Sequence, residues 1–143
     1  MLIVLFIVMM ISVISAGFIA RSDAAMLSGH NYNLRTETDG LAWGGLEHAR
    51  ALVVSPANEV PLVQWSATEL QLDNAASLFY DLAVNTLSAG SSDPNALSPY
   101  TYSVHCSAYK KKAGGTLNRS TLEATLLFDP NTLQADYISI RRQ

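Results

Sequence analysis

Nineteen consecutive residues without a charge, LIVLFIVMMISVISAGFIA at positions 2–20, open this chain and constrain it more than anything that follows. At about 1.5 Å per residue a helix of that length reaches roughly 30 Å, the hydrocarbon thickness of a bilayer. A cleaved signal peptide is the competing explanation. Its apolar core is usually about 7–15 residues and follows a basic stretch, whereas here the run is longer and no Lys or Arg precedes it. A retained membrane helix over residues 1–21 is therefore expected, with Leu2, Ile3, Leu5, Phe6, Ile7, Ile11, Val13, Ile14 and Phe18 as its apolar surface.

The polar sequence that follows still carries a helical period. Projected at about 100° per residue, Leu27, Leu34, Leu41, Ala42, Leu46, Ala49, Leu52 and Val53 share one stripe, with Thr36, Trp43, Glu47 and Arg50 away from it. The spacing predicts an amphipathic continuation over residues 22–55, ending before Ser55-Pro56 because the residue ahead of a proline is pushed out of the α region. Leu34, Leu41, Leu46, Ala49, Leu52 and Val53 are its expected contacts with the rest of the fold. Gly29, Gly40, Gly44 and Gly45 each cost about 1 kcal/mol relative to Ala in a helix, so a kink or local unwinding is expected near one of them, and glycine also permits close packing against another backbone.

Residues 56–143 read as strands and turns. Tyr100, Tyr102, Val104, Cys106 and Ala108 alternate with Thr101, Ser103, His105 and Ser107, the period of a half-buried strand. Lys110-Lys111-Lys112-Ala113-Gly114-Gly115 reads as a turn, followed by a strand with Ser120, Leu122, Ala124, Leu126 and Phe128 on one face. Asp129-Pro130-Asn131-Thr132 predicts a further turn before a last strand over residues 135–141. Leu78, Tyr80, Leu82 and Val84 alternate and predict a strand upstream, although Leu78/Leu82 and Phe79/Ala83 also fit a helix; residues 63–72 predict one more strand, and residues 88–99 a surface loop. The fold class expected is α+β: a long N-terminal helix, transmembrane then amphipathic, packed on a small antiparallel sheet.

Composition excludes several functions. A net charge of −3 leaves no basic surplus for nucleic acid. With Cys106 the only cysteine, no internal disulfide can form, and burial in the core is its expected role. His30 and His48, 18 residues apart on one helix, stand about 27 Å from each other, and neighbours on a strand such as His105 and Cys106 point to opposite faces, so no metal site is expected. No Gly-x-Ser-x-Gly elbow or equivalent is present, so neither catalytic residues nor a cofactor are expected. Ser91, Ser92, Asp93 and Asn95 carry too few carboxylates for calcium and read as turn formers. Asn118-Arg119-Ser120 matches the short glycosylation pattern, and Trp43 and Trp65 either anchor at a membrane interface or fill the core, with the core expected because both lie far from the apolar stretch.

The hydrophobic helix, its amphipathic continuation with Gly44-Gly45-Leu46-Glu47-His48-Ala49, and the closing YTYSVHCSAYKKKAGGTLNRSTLEATLLFDP pattern together resemble type IV pilin-like proteins. The likeness is to PilX-type minor pilins and the K-type minor pseudopilin of type II secretion. Counted from Met1, Leu5 stands where most major pilins carry a glutamate, and minor pilins of those types often lack it too. The resemblance implies a minor pilin or pseudopilin that primes, tips or decorates a type IV pilus or secretion pseudopilus. It implies other pilin-like subunits as partners through the N-terminal helix and processing by a prepilin peptidase. It also implies a bacterial inner-membrane location with the sheet domain extracytoplasmic, then the filament or cell surface. The alternative is a single-pass, membrane-anchored extracytoplasmic binding module that never enters a filament.

Overall fold

The computed structural model describes residues 2–55, 62–73, 77–88 and 99–143, with backbone alone at 2–5 and 72–73. One helix, α1 (Leu2–Val54), precedes five strands: β1 (Gln64–Asp73), β2 (Leu78–Ser88), β3 (Tyr100–Lys112), β4 (Gly115–Asp129) and β5 (Gln134–Arg142). The strands form one antiparallel sheet in sequence order, an open meander whose edges are β1 and β5. The architecture is α+β, as the periodicities predict. The loop expected at residues 88–99 lies, apart from its two end residues, outside the described residues.

By contacts the chain divides into two compact units, Met1–Leu34 and Arg35–Gln143. The first is helix only. Among its described side chains residues 6–33 are exposed, Leu27 included although it shares the predicted stripe, and Leu34 is buried. The glycines do not interrupt α1, whose helical assignment is unbroken to Val54.

In the second unit the stripe works as a core face. Leu41, Ala42, Leu46, Ala49 and Val53 join one buried cluster with Leu82, Val84, Tyr102, Val104, Cys106 and Leu126, and Leu52 packs half-buried against it. The even-numbered positions of β2, β3 and β4 supply the sheet side because alternate residues of a pleated strand share a face. Full burial of a side chain such as Leu46 or Leu126 is worth about 1.5–3 kcal/mol, so this layer supplies most of what orders the unit.

Two predicted details differ. The lysine run belongs to strand, with Lys110 opposite Asn118 and Lys112 opposite Gly115, and the connection is only Ala113-Gly114. The lysine stems lie along the sheet rather than in a loop, and the Lys111 ammonium sits 5.2 Å from the Phe79 ring centroid and 5.4 Å from that of Tyr109. Trp43 is 51% exposed, not in the core, because its angular position places it on the flank of α1; Trp65 does pack half-buried against the core.

The closest approach of helix to sheet is at Gly45. A Cβ there would stand 2.3 Å from Cys106 Sγ and 3.3 Å from Tyr80 Cδ2, so only glycine lets α1 settle on β3. Gly45→Ala is expected to cost about 1–2 kcal/mol, overpacking set against the helix propensity gained. With Cys106→Ala in the background the clash with sulfur is gone and the cost should fall close to zero. Denaturant unfolding of the four chains measures the coupling, and an equal loss in both backgrounds would refute the contact.

Candidate functional site: an uncovered apolar helix and a helix–sheet seam

Two features stand out, one in each unit. In the first, Phe6, Ile7, Ile11, Val13, Ile14 and Phe18 are all exposed. The side chains of Leu2, Ile3 and Leu5 lie outside the described residues. An 18-residue window of this helix has a mean hydropathy of 1.6, with none of it buried. Such an apolar surface is far larger than a soluble monomer leaves in water, and by length and composition the helix can cross a membrane. Ser12 is compatible with that setting, since its hydroxyl donates to the Val8 carbonyl at 2.8 Å and leaves no unsatisfied donor. Charge begins at Arg21 and Asp23.

In the second unit, polar ties hold α1 on the sheet around the Gly44–Ala49 segment. Gly45 meets Cys106, Leu46 and Ala49 are buried, and the Leu46 carbonyl accepts a 2.5 Å hydrogen bond from the Tyr137 hydroxyl. His48 Nδ1 and the Tyr80 hydroxyl are 2.9 Å apart, with the Trp65 ring edge-on at 5.5 Å. Glu47 stays exposed and reaches Arg50 at 3.8 Å. About two turns earlier, Asn118 Nδ2 donates to Thr38 Oγ1 at 2.8 Å, and Thr38 donates in turn to the Arg35 carbonyl at 3.1 Å. Asn118, the glycosylation-pattern residue, is thus engaged in joining β4 to the helix.

Burial, and secondarily the charge of Asp81, pushes the Cys106 thiol up to about 12, which keeps it protonated and un-nucleophilic at neutral pH. Among the described residues no three His, Cys, Asp or Glu side chains converge as metal ligands. His105 pairs with Glu123 and Ala83 across the sheet and is exposed, whereas neighbouring Cys106 is buried on the face toward α1.

Residue types hid three contributors from sequence reasoning. Thr38 and Gly45 fall on the helical stripe at positions that apolar counting passes over, although the spacing from Leu34 to Thr38 to Leu41 marks the first. The third is a cluster on the sheet face away from α1. There Phe79 and Tyr109 stack at 6.1 Å, Arg119 lies 5.4 Å over the Tyr109 ring, and the Tyr109 hydroxyl donates to Asp81 Oδ1 at 3.0 Å.

Comparison with known proteins adds no constraint: no protein-family model, no curated protein and no solved structure matches the chain.

The Asp39 carboxylate, on the α1 flank beside Trp43, pairs with Arg142 at the end of β5. Burial raises its pKa, but the Ser120 hydroxyl, the Arg142 guanidinium and the Arg35 charge outweigh that and hold it below the ordinary aspartate value. A depressed folded value stabilises the fold at pH above the unfolded value, about 3.9, and that contribution fades as pH falls through the folded one. Asp39→Asn should therefore melt lower than the parent at pH 6, with the gap closing as pH is taken below about 4. A gap that is constant from pH 6 to pH 2.5 would contradict the pairing.

Proposed function

We propose that this chain acts by assembly, as a minor pilin or pseudopilin subunit that takes part in priming, tipping or decorating a type IV pilus or a type II secretion pseudopilus. One observation carries the reading. A single unbroken helix offers an uncovered apolar surface over residues 6–19 at one end and is packed on an antiparallel sheet at the other.

The physical logic is one of interchangeable environments. Lipid tails and neighbouring apolar helices are nearly equivalent solvents for Phe6, Ile7, Ile11, Ile14 and Phe18, so there is little net hydrophobic drive between lipid-bathed and helix-packed states. Water is excluded from both, since each of these side chains costs about 1.5–3 kcal/mol when exposed to it. Subunits held in a membrane can thus be withdrawn into a filament core without apolar surface meeting water, and the sheet unit, which needs no lipid, faces outward. Gly17 leaves a gap on the apolar helix where a neighbouring backbone can approach, because among the described residues nothing outside its own helical turn lies within 4 Å of a Cβ there.

Cysteine pairs placed along residues 6–19, with Cys106→Ala to remove the native thiol, test this in cells. Subunit-to-subunit cross-links that appear only when an assembly machinery is intact are the expected result. Their absence in cells with intact filaments would overturn the proposal in favour of a single-pass anchored binding module.

A further inference from the structure

In the second unit α1 leaves the end of β5 uncovered: Ala135 is buried and Tyr137 half-buried, but from Ile138 onward the strand is exposed. A cleft of about 250 Å³ results, lined by Asp39 and Trp43 of α1, Ser120 and Leu122 of β4, and Ile140 and Arg142 of β5. Its lining is of two kinds. The Trp43 indole, 51% exposed, the partly exposed Ile140 and the buried Leu122 are apolar. The Asp39–Arg142 ion pair and Ser120 are polar.

The fold leaves the polar groups unfinished. Ser120 is 4% exposed, and among the described residues its Oγ meets no hydrogen-bond partner of proper geometry, although it lies near enough to Asp39 to help hold that carboxyl below its ordinary pKa. Buried hydroxyls are nearly always paired, so an orphan bordering a cleft points to a group that enters it. The ion pair joins one Arg142 Nη to Asp39 Oδ1, and a guanidinium has five N–H donors while a carboxylate has two accepting oxygens, so donors and acceptors remain side by side in the lining.

We infer that this cleft binds one pyranose ring of a neutral sugar, with its C–H face on the Trp43 indole and adjacent hydroxyls on Asp39 and Arg142. Size limits the occupant, since the volume falls below the roughly 300–1,000 Å³ of sites for drug-sized ligands and suits a single ring. Charge limits it further. Asp39 and Arg142 cancel, so an anion would face Asp39 and a cation Arg142, whereas an uncharged ligand leaves the pair intact. A hydroxyl both donates and accepts, so two neighbouring hydroxyls give to the carboxylate and take from the guanidinium at once. A third reaches Ser120, whose χ1 rotation turns the unpartnered hydroxyl onto the ligand. Trp43 and Ile140 supply the flat apolar wall that a ring's C–H face needs. A ligand of so few atoms is held at about millimolar strength. All six residues belong to the unit Arg35–Gln143, and the inference does not depend on the assembly reading.

The test uses the full chain in phosphatidylcholine vesicles, with Trp65→Phe so that Trp43 is the one tryptophan left of the chain's two. Methyl glycosides of glucose, galactose and mannose are titrated against Trp43 emission at neutral pH. At least one should give a saturable change with a midpoint of about 1–10 mM. Ser120→Ala separates binding from structure: its thermal melting should stay close to the parent's, because the hydroxyl has no bonding partner of its own, while the same glycoside binds roughly three- to tenfold more weakly. Asp39→Asn should weaken binding roughly tenfold or more, as loss of a charged acceptor demands. Cyclohexanol, which has the ring without the adjacent hydroxyls, and glycine betaine, which carries both charges, stand for the other occupants. No saturable change with any of the glycosides up to about 100 mM overturns the inference. So does an equal response to cyclohexanol, tighter binding of glycine betaine, or parent-like binding by Ser120→Ala.

Discussion

The second unit depends on how closely α1 can lie on β3, and that distance is set where Gly45 faces the Cys106 sulfur. A side chain at 45 would press on the Cys106 sulfur, and the layer of Leu41, Leu46, Ala49 and Val53 against Leu82, Val104 and Leu126 would have to give around that point. The polar ties follow from the same approach. Tyr137 reaches the Leu46 carbonyl, His48 meets Tyr80, and Asn118 meets Thr38 because the helix backbone sits within a side chain's reach of three different strands. Each tie satisfies groups that burial would otherwise leave costly, so the seam fixes the position of the helix along the sheet as well as its depth.

The same helix meets a different demand at its other end. In the unit Met1–Leu34 the described side chains from Phe6 to Asn33 are exposed, and Phe6 through Phe18 present an apolar surface larger than a stable monomer leaves in water. Something must cover it, and a bilayer or a bundle of similar helices does so at nearly equal free energy. This near-equivalence is what supports the proposed assembly role. At the seam Cys106 is buried with its thiol pushed up to about 12, His48 meets Tyr80, and among the described residues no metal ligands converge.

Most of the architecture is legible in the sequence because each element carries its own period. Alternation in Tyr100 to Ala108 and Ser120 to Phe128 appears as β3 and β4, and the stripe ending before Ser55-Pro56 appears as the end of α1 at Val54. What is not legible is context. Lys110 to Lys112 read as a turn because three charges look solvent-bound, yet their stems lie on the sheet and two of their ammonium groups pair with Glu37 and Glu69. Trp43 reads as core by residue type and as flank by angle, and the angle is right. Leu27 obeys the period but lies where no partner layer exists, which periodicity cannot know. Thr38 and Gly45 escape because a hydrophobic stripe is drawn through apolar residues, while one buried threonine with two hydrogen bonds and one glycine at a close approach belong to it equally.

The central claim is that the apolar helix serves filament assembly, and its most direct test is the N-terminal sequence and intact mass of the protein from its native membrane, with and without an active prepilin peptidase. The account predicts a longer precursor in the peptidase-deficient strain and, in the other, a trimmed and N-methylated residue beside the Leu2 run. An unmodified Met1 in both strains would contradict it.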